Sequence, residues 1–391
     1  MRRKNEHGVP RTLAMSRTIW ALTASAWLAA GCGGGDGDGS PAPEAAAPPA
    51  PLAVVVLGDS IASGEGINYG YVYSTDTPNE WYGGTDDPTW QGDYQLCHDS
   101  DQAYGDVLAP MIGAKLTKFA CTGSTYDNGI AFDRRYGGAL YRPAQFGNWL
   151  GQTNLNQAYD DAKPDVVIIT LGADDVSFAD IFTFCATGYT DAAQVAAIAT
   201  MPDRSRHLKA NFAKRFPSKE AWQARAPRAS SSSYCTAANP GAPIISLFWD
   251  PINSGLIAGH YKSLVAAIKA RGEKAGKVPR IIFTTYHQPL PNPSQSDECL
   301  DMGDIERDET DYLISLQNTL KQTLIDAVTG LDGVSVADIS GVVAGHEYCT
   351  SDPWAYGLSV LLHNDASLAP FHPTPQGQAA IAAVLKQSFG P

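Results

Sequence analysis

Ser60 and one of several histidines could together carry out nucleophilic catalysis. Ser60 follows the first strongly apolar run, in the segment Gly58–Gly66, which reads G-D-S-I-A-S-G-E-G. A serine hydroxyl is a poor nucleophile until a neighbouring base takes its proton. Imidazole suits that task, because it titrates near neutral pH and can later return the proton to a leaving group. The candidate bases among the eight histidines are His287, His346, His363 and His372.

The G-D-S segment is a weak signal by itself. Ser60 could simply cap the helix that follows it, since serine is favoured at helix N-caps. Its place along the chain says more. A serine just past the first strand of a parallel sheet lies at the carboxyl edge of that sheet, where open α/β sheets bind ligands. Whether Ser60 is chemical or structural therefore depends on what else the sheet brings to that edge.

Five short apolar runs predict the strands of a parallel sheet. They are Leu52–Leu57, Lys115–Ala120, Asp165–Leu171, Arg280–Tyr286 and Val334–Ile339. Each run is continuous rather than alternating, which predicts strands buried on both faces. Long segments separate the runs, several of them with helical periodicity. Strands that alternate with helices indicate an α/β protein with a three-layer α/β/α sandwich.

Two segments predict helices and two others predict insertions. Tyr312–Thr329 places five apolar residues on one face, and Gln376–Lys386 forms a last helix. The stretches at about 67–97 and 185–243 exceed ordinary loop length. Neither carries enough apolar periodicity for a core of its own. We therefore expect both to be surface insertions in a single domain that covers residues 53–391.

The N-terminal residues predict export rather than fold. Residues 1–31 combine a basic start with the apolar run Ile19–Ala30, which is too short to span a bilayer comfortably and suits a signal peptide. Translation could also start at Met15. The sequence L-A-A-G-C ending at Cys32 resembles a bacterial lipobox, although Ala29 stands where Leu is usual. We expect lipidation of Cys32 and an anchored protein of the cell envelope. An ordinary secretory signal, with Cys32 left free, is the alternative.

The composition argues against nucleic acid as a partner and indicates that the cysteines form disulfides. Residues 32–52 are rich in Gly, Pro and Ala and predict a flexible tether. The net charge is −13 with no basic patch, which argues against nucleic acid as a partner. An even number of further cysteines in an exported chain indicates disulfides, and the absence of a C-x-x-C pair argues against zinc. Spacing alone leaves every pairing open for Cys97, Cys121, Cys185, Cys235, Cys299 and Cys349.

Four segments, taken in order, resemble the sequence blocks of the SGNH (GDSL-like) hydrolases. The matching segments are Gly58–Gly66, Cys121–Thr125, Leu171–Phe178 and Phe371–Gln378. At the functional positions of the family they carry Ser60, Gly123, Asp174 and His372. The resemblance covers essentially Ala53 to the C-terminus and implies a flavodoxin-like, five-stranded parallel sheet.

This resemblance implies an exported serine esterase or lipase that needs no cofactor and no metal. Ser60 would be the nucleophile and His372 the general base. The backbone N–H groups of Ser60 and Gly123 would donate to the oxyanion. The substrate would be a small-molecule, lipid or polysaccharide ester, with membrane contact only through a lipid anchor, and we expect a monomer. The rival histidines lie outside the H-P-x-x-x-G pattern of the family, so we expect them to be structural.

A narrower resemblance points to actinobacterial-type secreted lipases and esterases. Cys97–Tyr104 is similar to their C-x-R-S-x-x-x-Y segment, and Gly345–Cys349 with Asp352–Trp354 is similar to their G-H-E-x-C…P-W segment. Those relatives pair six cysteines sequentially. The resemblance therefore implies the bridges Cys97–Cys121, Cys185–Cys235 and Cys299–Cys349.

Asp174 departs from the family, which has asparagine as the third oxyanion donor. An ionised carboxylate donates no hydrogen bond and would repel the tetrahedral intermediate. Burial and Asp175 could keep Asp174 protonated, Asp174 could turn away, or the chain could be a weakened or inactive homologue. We expect a working enzyme because the other blocks are intact. Its activity should then fall as pH rises through the pKa of Asp174, and Asp174→Asn should raise turnover at neutral pH.

A second departure concerns the group that orients His372. Many family members place an aspartate three residues before this histidine, and this chain has Ala369 there. Some relatives use a backbone carbonyl, which fixes the tautomer but stabilises imidazolium less than a carboxylate does. Asp365 is a nearby alternative, although a solvated loop position is the simpler interpretation.

Two other functions compete with ester hydrolysis. A non-catalytic, surface-anchored binding lipoprotein could keep this fold, since fold does not guarantee chemistry. A metallohydrolase is disfavoured because the sequence lacks a clustered His/Asp/Cys ligand set. The aromatic residues of the first insertion could line an acyl or sugar site or could only pack within their own loop; they are Tyr69, Tyr71, Tyr73, Trp81, Tyr82 and Trp90.

Overall fold

The computed structural model of the protein shows a sheet of parallel strands with helices around it. It describes residues 50–67, 97–132, 144–146, 159–187, 192–201, 208, 234–239, 242–291, 305, 307–357 and 370–390, with the backbone of four short strands between these ranges. In chain order the strands are β1 Ala53–Gly58, β2 Val72–Tyr73, β3 Trp81–Tyr82, β4 Lys115–Lys118, β5 Arg134–Tyr136, β6 Ala139–Arg142, β7 Val166–Thr170, β8 Arg280–Thr284 and β9 Val334–Ala337.

The central sheet has five parallel strands in the order β4-β1-β7-β8-β9. Four of these strands lie within the predicted apolar runs, and β1 extends one residue beyond its run, to Gly58. Numbered along the chain, the order is second, first, third, fourth, fifth, which is the flavodoxin-like arrangement. The predicted fold class is therefore confirmed.

Burial differs between the middle and the edges of the sheet. Every residue of β7 is buried. In β4, however, Lys115 is exposed and the other residues are half-buried, and in β9 Ser335 is exposed. The prediction that all five strands are buried on both faces is wrong for these two. Each is an edge strand with a neighbour on one side only, so solvent reaches its outer flank.

Helices cover both faces of the sheet. They are α1 Ser60–Ser63, α2 Tyr104–Met111, α3 Phe178–Thr187, α4 Ala192–Ala199, α5 Pro243–Asn253, α6 Leu256–Ala275, α7 Arg307–Val328 and α8 Pro375–Gln387. Alternate residues of β1 enter two different cores. Val54 and Val56 pack with α2 and α8, whereas Val55 and Leu57 pack with α5, α6 and α7. The result is the expected three-layer sandwich.

The two predicted helices are longer than their apolar periodicity indicated. α7 begins at Arg307, five residues before the predicted start, with Asp308 and Glu309 in its first turn. Acidic residues there are favoured by the helix dipole. α8 begins at Pro375, and the Thr374 side chain accepts from the Gly377 N–H as its N-cap.

The second insertion contributes to the main core. Val195 and Ile198 of α4 and Cys235 are buried in the same cluster as the residues of β1 and β7. The described residues of this insertion therefore add to the core that covers the sheet. Of the first insertion, the backbone of β2 and β3 forms an antiparallel pair. Tyr69, Tyr71 and Trp90, the other aromatic residues that could line a site, lie outside the described residues.

Two disulfides occur as the resemblance implied, Cys97–Cys121 and Cys185–Cys235. Cys349 is also disulfide-bonded. Cys299 and Cys32 lie outside the described residues, as do the predicted signal peptide and most of the predicted tether. Within the ranges that the structure describes, no helix is long and apolar enough to cross a membrane.

Candidate active site

Ser60 is the first residue of α1, directly after the turn that ends β1. Gly58, the last residue of β1, has a φ of 151°, and a Cβ there would lie 2.6 Å from the Thr170 carbonyl oxygen of β7. Only glycine therefore fits at this position. The Asp59 side chain accepts from the Ile61 N–H at 3.0 Å and caps the helix. The interpretation of Ser60 as the helix cap is therefore wrong, because Asp59 has that role.

His372 lies beside Ser60, although 312 residues separate them in the chain. Its Nε2 is 2.8 Å from Ser60 Oγ, and its Nδ1 is 3.0 Å from the carbonyl oxygen of Pro370. A carbonyl can only accept, so Nδ1 carries the proton and Nε2 accepts the Ser60 hydroxyl. This is the geometry of a nucleophile and its general base. A backbone carbonyl, one of the two alternatives left open by Ala369, orients the ring.

A short antiparallel pairing holds the backbone around His372. The Phe371 N–H donates to the Tyr356 carbonyl at 2.7 Å, and the Tyr356 N–H donates to the His372 carbonyl at 2.9 Å. Phe371 has a φ of 68°, a left-handed conformation that costs about 1–2 kcal/mol outside glycine. These hydrogen bonds offset that cost, and the conformation turns the next residue, His372, toward Ser60.

His287 supports the same loop from beneath. It is buried, and its Nε2 donates to the Phe371 carbonyl at 2.8 Å. Burial, together with the neighbouring His372, lowers the pKa of His287 to about 4. The ring is therefore neutral at physiological pH, and it contacts the backbone rather than Ser60.

The other rival histidines do not contact Ser60 in the described part of the chain. His346 stacks on Trp354 with ring centroids 3.8 Å apart, and its Nδ1 is 3.0 Å from the Asp352 carbonyl oxygen. His363 lies outside the described residues, as does Asp365, the alternative acid.

The loop that carries Gly123 is bonded to the Ser60 turn. The Cys121 N–H donates to the Gly58 carbonyl at 3.0 Å, and Gly123 has a φ of 65°. The fully buried Gln145 reinforces this link. Its Oε1 accepts from the Gly58 N–H at 2.8 Å, while its Nε2 is 2.7 Å from the Gly58 carbonyl and 3.0 Å from Ser124 Oγ. Gln145 thus bridges the first and second sequence blocks.

The loop that carries Asp174 is positioned by two tyrosines, the buried Tyr261 and the half-buried Tyr286. Tyr261 donates to the Leu171 carbonyl at 3.0 Å, and its hydroxyl would lie 2.2 Å from a Cβ at Gly172. The Tyr286 hydroxyl accepts from the Ala173 N–H at 3.0 Å and donates to Asp59. Asp174 itself is half-buried, and its Oδ2 atom is buried. The third block is therefore joined through Tyr286 to the residue that precedes Ser60.

Asp59 and Asp175 are two acidic residues near Ser60 with different surroundings. Burial, with a smaller contribution from the charge of Asp175, raises the pKa of Asp59 to about 7, although the hydrogen bonds from Tyr286 and Ile61 oppose the increase. Asp175 accepts from the Tyr126 N–H at 3.0 Å and lies 3.2 Å from His260 Nδ1. Asp175 therefore ties the third block to the second.

Glu65 is a site residue that sequence reasoning did not single out. Its Oε2 lies 3.9 Å from His372 Nε2, and its Oε1 lies 3.2 Å from His98 Nδ1. The Thr122 hydroxyl donates to Oε2. The residue stands within the first block, between two glycines. No spacing rule indicated that it would reach His372, because the contact depends on the fold.

The predicted site residues thus fall into two groups. Ser60 and His372 are in direct contact, and Gly123 and Asp174 lie on loops that hydrogen bonds tie to the Ser60 turn.

Among the residues that the structure describes, no group of three or more His, Cys, Asp or Glu side chains could hold a metal ion.

Solved structures of several esterases resemble the fold. An extracellular lipase from Streptomyces rimosus is 17% identical, with 86% of this chain and 99% of that chain covered and a TM-score of 0.45. A carbohydrate acetylesterase from Sinorhizobium meliloti is 11% identical, with 86% and 98% covered and a TM-score of 0.38. An aryl esterase from M. smegmatis is 14% identical, with 86% and 97% covered and a TM-score of 0.36. No curated protein sequence matches the chain.

A sequence model of the GDSL-like Lipase/Acylhydrolase family matches residues 56–380. The match spans all four blocks, from the Ser60 turn to the residues of α8 that follow His372. It covers most of the chain. The protein therefore belongs to the GDSL-like lipase/acylhydrolase family of ester hydrolases.

Proposed function

We propose that the protein is an exported esterase or lipase that hydrolyses carboxylic esters through an acyl-enzyme on Ser60. The observation that carries this proposal is the 2.8 Å contact between Ser60 Oγ and His372 Nε2, with the Pro370 carbonyl on the other ring nitrogen. The hydroxyl has an acceptor for its proton, and the ring has the tautomer that can take it.

In the acylation step, Ser60 Oγ bonds to the ester carbonyl carbon as its proton passes to His372 Nε2. The C–O bond to the alcohol then breaks, and the imidazolium returns the proton to the departing alkoxide. In deacylation, a water molecule gives a proton to His372 while its oxygen attacks the acyl carbon. The carboxylic acid leaves, and Ser60 recovers its proton from His372.

The oxyanion of each tetrahedral intermediate needs donors that are already in place. We assign the backbone N–H groups of Ser60 and Gly123 to this role. The Ser60 N–H lies in the first turn of α1, where the helix itself provides no acceptor. Asp174 could add a third donor only while it carries a proton.

Export and anchoring are part of the same proposal. Residues 1–31 would direct the chain out of the cytoplasm, and lipidation of Cys32 would leave the hydrolase on a flexible tether at the membrane surface. The substrate would be a small-molecule, lipid or polysaccharide ester, and the enzyme would act as a monomer.

Hydrolysis of short p-nitrophenyl esters by the exported protein tests this function. We expect the wild-type protein to release p-nitrophenol. In Ser60→Ala and in His372→Ala the rate should be lower by a factor of about a thousand or more. Both variants should retain the melting temperature of the wild-type protein within a few degrees. A wild-type rate equal to that of Ser60→Ala, across a panel of acyl chain lengths and from pH 4 to 9, would refute ester hydrolysis.

One observation favours a second candidate function. Asp174 stands where the family has asparagine, and a charged carboxylate there would oppose the intermediate. A surface-anchored lipoprotein that binds an ester or sugar without cleaving it would tolerate that residue. Ligand binding by the wild-type protein without turnover, unchanged in Ser60→Ala, would support this alternative.

A further inference from the structure

Glu65 is a buried acid held next to the proposed base. It follows α1, and its backbone N–H donates to the Ser60 carbonyl at 3.0 Å. Only 8% of its side chain is exposed. Its Oε2 lies 3.9 Å from His372 Nε2, the ring nitrogen that also faces Ser60. The carboxylate therefore approaches the imidazole from the side on which the proton arrives.

Two neighbouring segments fix the direction of the Glu65 carboxylate. The Thr122 hydroxyl donates to its Oε2, and His98 Nδ1 lies 3.2 Å from its Oε1. The Thr122 N–H donates to the Cys97 carbonyl at 3.1 Å, and Cys97 is cross-linked to Cys121. The disulfide thus joins the two segments that present His98 and Thr122 to Glu65.

The chemistry of the base leaves a role for such a charge. When Ser60 attacks, His372 becomes positively charged, and the Pro370 carbonyl stabilises that charge less than a carboxylate would. Many family members have an aspartate three residues before this histidine, where this chain has Ala369. We propose that Glu65 supplies the missing negative charge, from the Nε2 side, and so acts through His372 as a positioning and electrostatic partner. This inference rests on the proposed function.

The expected consequence is a change in both rate and pH dependence. A negative charge near an imidazole favours its protonated form. Removal of the charge should therefore slow the step that protonates His372 and move the acid limb of the kcat/KM profile to lower pH. Among the described residues, the titratable side chains near this region include the buried His287 beneath the loop, Asp59 next to Ser60 in the chain, and His98, which contacts Glu65. These residues are retained in a Glu65 variant, although His98 loses its carboxylate partner.

The test compares Glu65→Gln, Glu65→Asp and a matched control. Glutamine keeps the side-chain size and can still accept from Thr122, so the variant removes the charge and replaces the oxygen that faces His98 with an amide N–H₂ group. We expect kcat to fall about tenfold to a hundredfold in Glu65→Gln and the acid limb to move down by about one pH unit. Glu65→Asp should restore part of both effects. Asp332→Asn removes an equal charge from a fully exposed residue that precedes β9, at the opposite edge of the sheet, and should change neither.

An NMR titration of His372 completes the test, because it does not require turnover. We expect its midpoint to lie at lower pH in Glu65→Gln than in wild type or Asp332→Asn. An unmoved midpoint and acid limb would overturn the proposal, even if kcat fell, since a purely structural role moves neither. Absence of hydrolysis in wild type would refute the proposed function alone, and the His372 midpoint would still report whether Glu65 acts on the ring.

Discussion

At the scale of single residues, the site depends on how His372 is oriented. The Pro370 carbonyl fixes the tautomer, while the hydrogen bonds of Phe371 to Tyr356 and His287 fix the backbone that presents the ring. A carbonyl orients as well as a carboxylate but contributes only a partial charge. Other groups in the site must then stabilise the positive charge on His372. The oxyanion likewise needs donors other than an ionised Asp174.

Asp174→Asn tests whether the third oxyanion donor is missing. The amide of asparagine donates at any pH, whereas a carboxylate does not. We expect kcat/KM at neutral pH to rise at least about tenfold, with a flatter profile toward alkaline pH, because one such donor is worth about a hundredfold to a thousandfold in other hydrolases. A rate in the variant equal to or below that of wild type at every pH would contradict this role for residue 174.

His287→Gln tests the effect of a buried neutral histidine on stability. The pKa of His287 is about 4 in the folded protein against 6.5 ordinarily, so the unfolded chain binds a proton that the folded chain does not. Wild-type stability should therefore fall as pH drops from about 6.5 to about 4, by up to about 3 kcal/mol from this group.

Glutamine can donate to the Phe371 carbonyl but does not titrate. The free energy of unfolding of His287→Gln, from urea denaturation, should therefore lose less on acidification than that of wild type. Parallel curves for the two proteins over this pH range would show that His287 is not the group responsible.

At the scale of elements, three loops at the carboxyl edge of the sheet form one bonded unit. The Asp59 N–H donates to the Thr170 carbonyl at 3.2 Å, which joins the ends of β1 and β7. The Cys121 N–H donates to the Gly58 carbonyl and so joins the segment after β4 to Gly58. The Gln145 side chain accepts from the Gly58 N–H and donates to the Gly58 carbonyl. Ser60 therefore sits on a turn whose backbone groups are satisfied from two sides.

Gln145→Ala should weaken this unit. It leaves the buried N–H of Gly58 without its acceptor, which costs about 1–3 kcal/mol, whereas the Gly58 carbonyl keeps the Cys121 N–H as a donor. We expect the free energy of unfolding to fall by about 1–3 kcal/mol and kcat to fall more than KM changes.

Gln145→Met is the matched control for side-chain volume. Methionine fills similar space but makes none of these hydrogen bonds, so it should be within about 1 kcal/mol of the alanine variant. Stability and kcat close to wild type in the methionine variant would show that packing, rather than hydrogen bonding, is the function of Gln145.

At the scale of the whole molecule, the sequence predicted the parts that depend on local pattern. The apolar runs around Val54–Leu57 and Val166–Ile169 predicted buried parallel strands, and the four blocks predicted where Ser60 and His372 would lie. The run that contains β4 was predicted as buried because it is short and continuous like the others, although β4 itself carries Lys115 and Lys118. Its place at the edge follows from strand order, which residue pattern alone does not specify.

Contacts between distant segments were not predictable in the same way. Gln145, Tyr286 and Glu65 have ordinary sequence surroundings, and each gains its role from a partner between 57 and 307 positions away. A single sequence carries no signal for such pairs, since many glutamines, tyrosines and glutamates could have made them. The site was therefore predicted as Ser60 and His372 with the oxyanion positions Gly123 and Asp174, without the network that holds them.

The two described disulfides should differ in what their removal does. Their sequence separations of 24 and 50 residues correspond to about 3.4 and about 4.1 kcal/mol in the chain-entropy treatment. Cys185→Ala/Cys235→Ala should therefore cost more stability. Cys97→Ala/Cys121→Ala should cost more activity, with kcat at 25 °C at least about tenfold lower, because the bridge fixes the segments that carry Gly123, Thr122 and His98.

Thermal denaturation and initial rates on both double variants check this distinction. Equal losses of kcat in the two, measured well below both melting temperatures, would contradict a special role for the bridge next to the Ser60 turn.

Covalent labelling by an ester-mimicking phosphonate tests the central claim most directly, because it reports the nucleophile itself. Peptide mass spectrometry after labelling should place a single phosphonyl group on Ser60 in the wild-type protein. The labelling rate should fall at least about a hundredfold in His372→Ala, and the adduct should be absent in Ser60→Ala. Ester hydrolysis that proceeds with the label on another residue, or with an unchanged labelling rate in His372→Ala, would contradict the account.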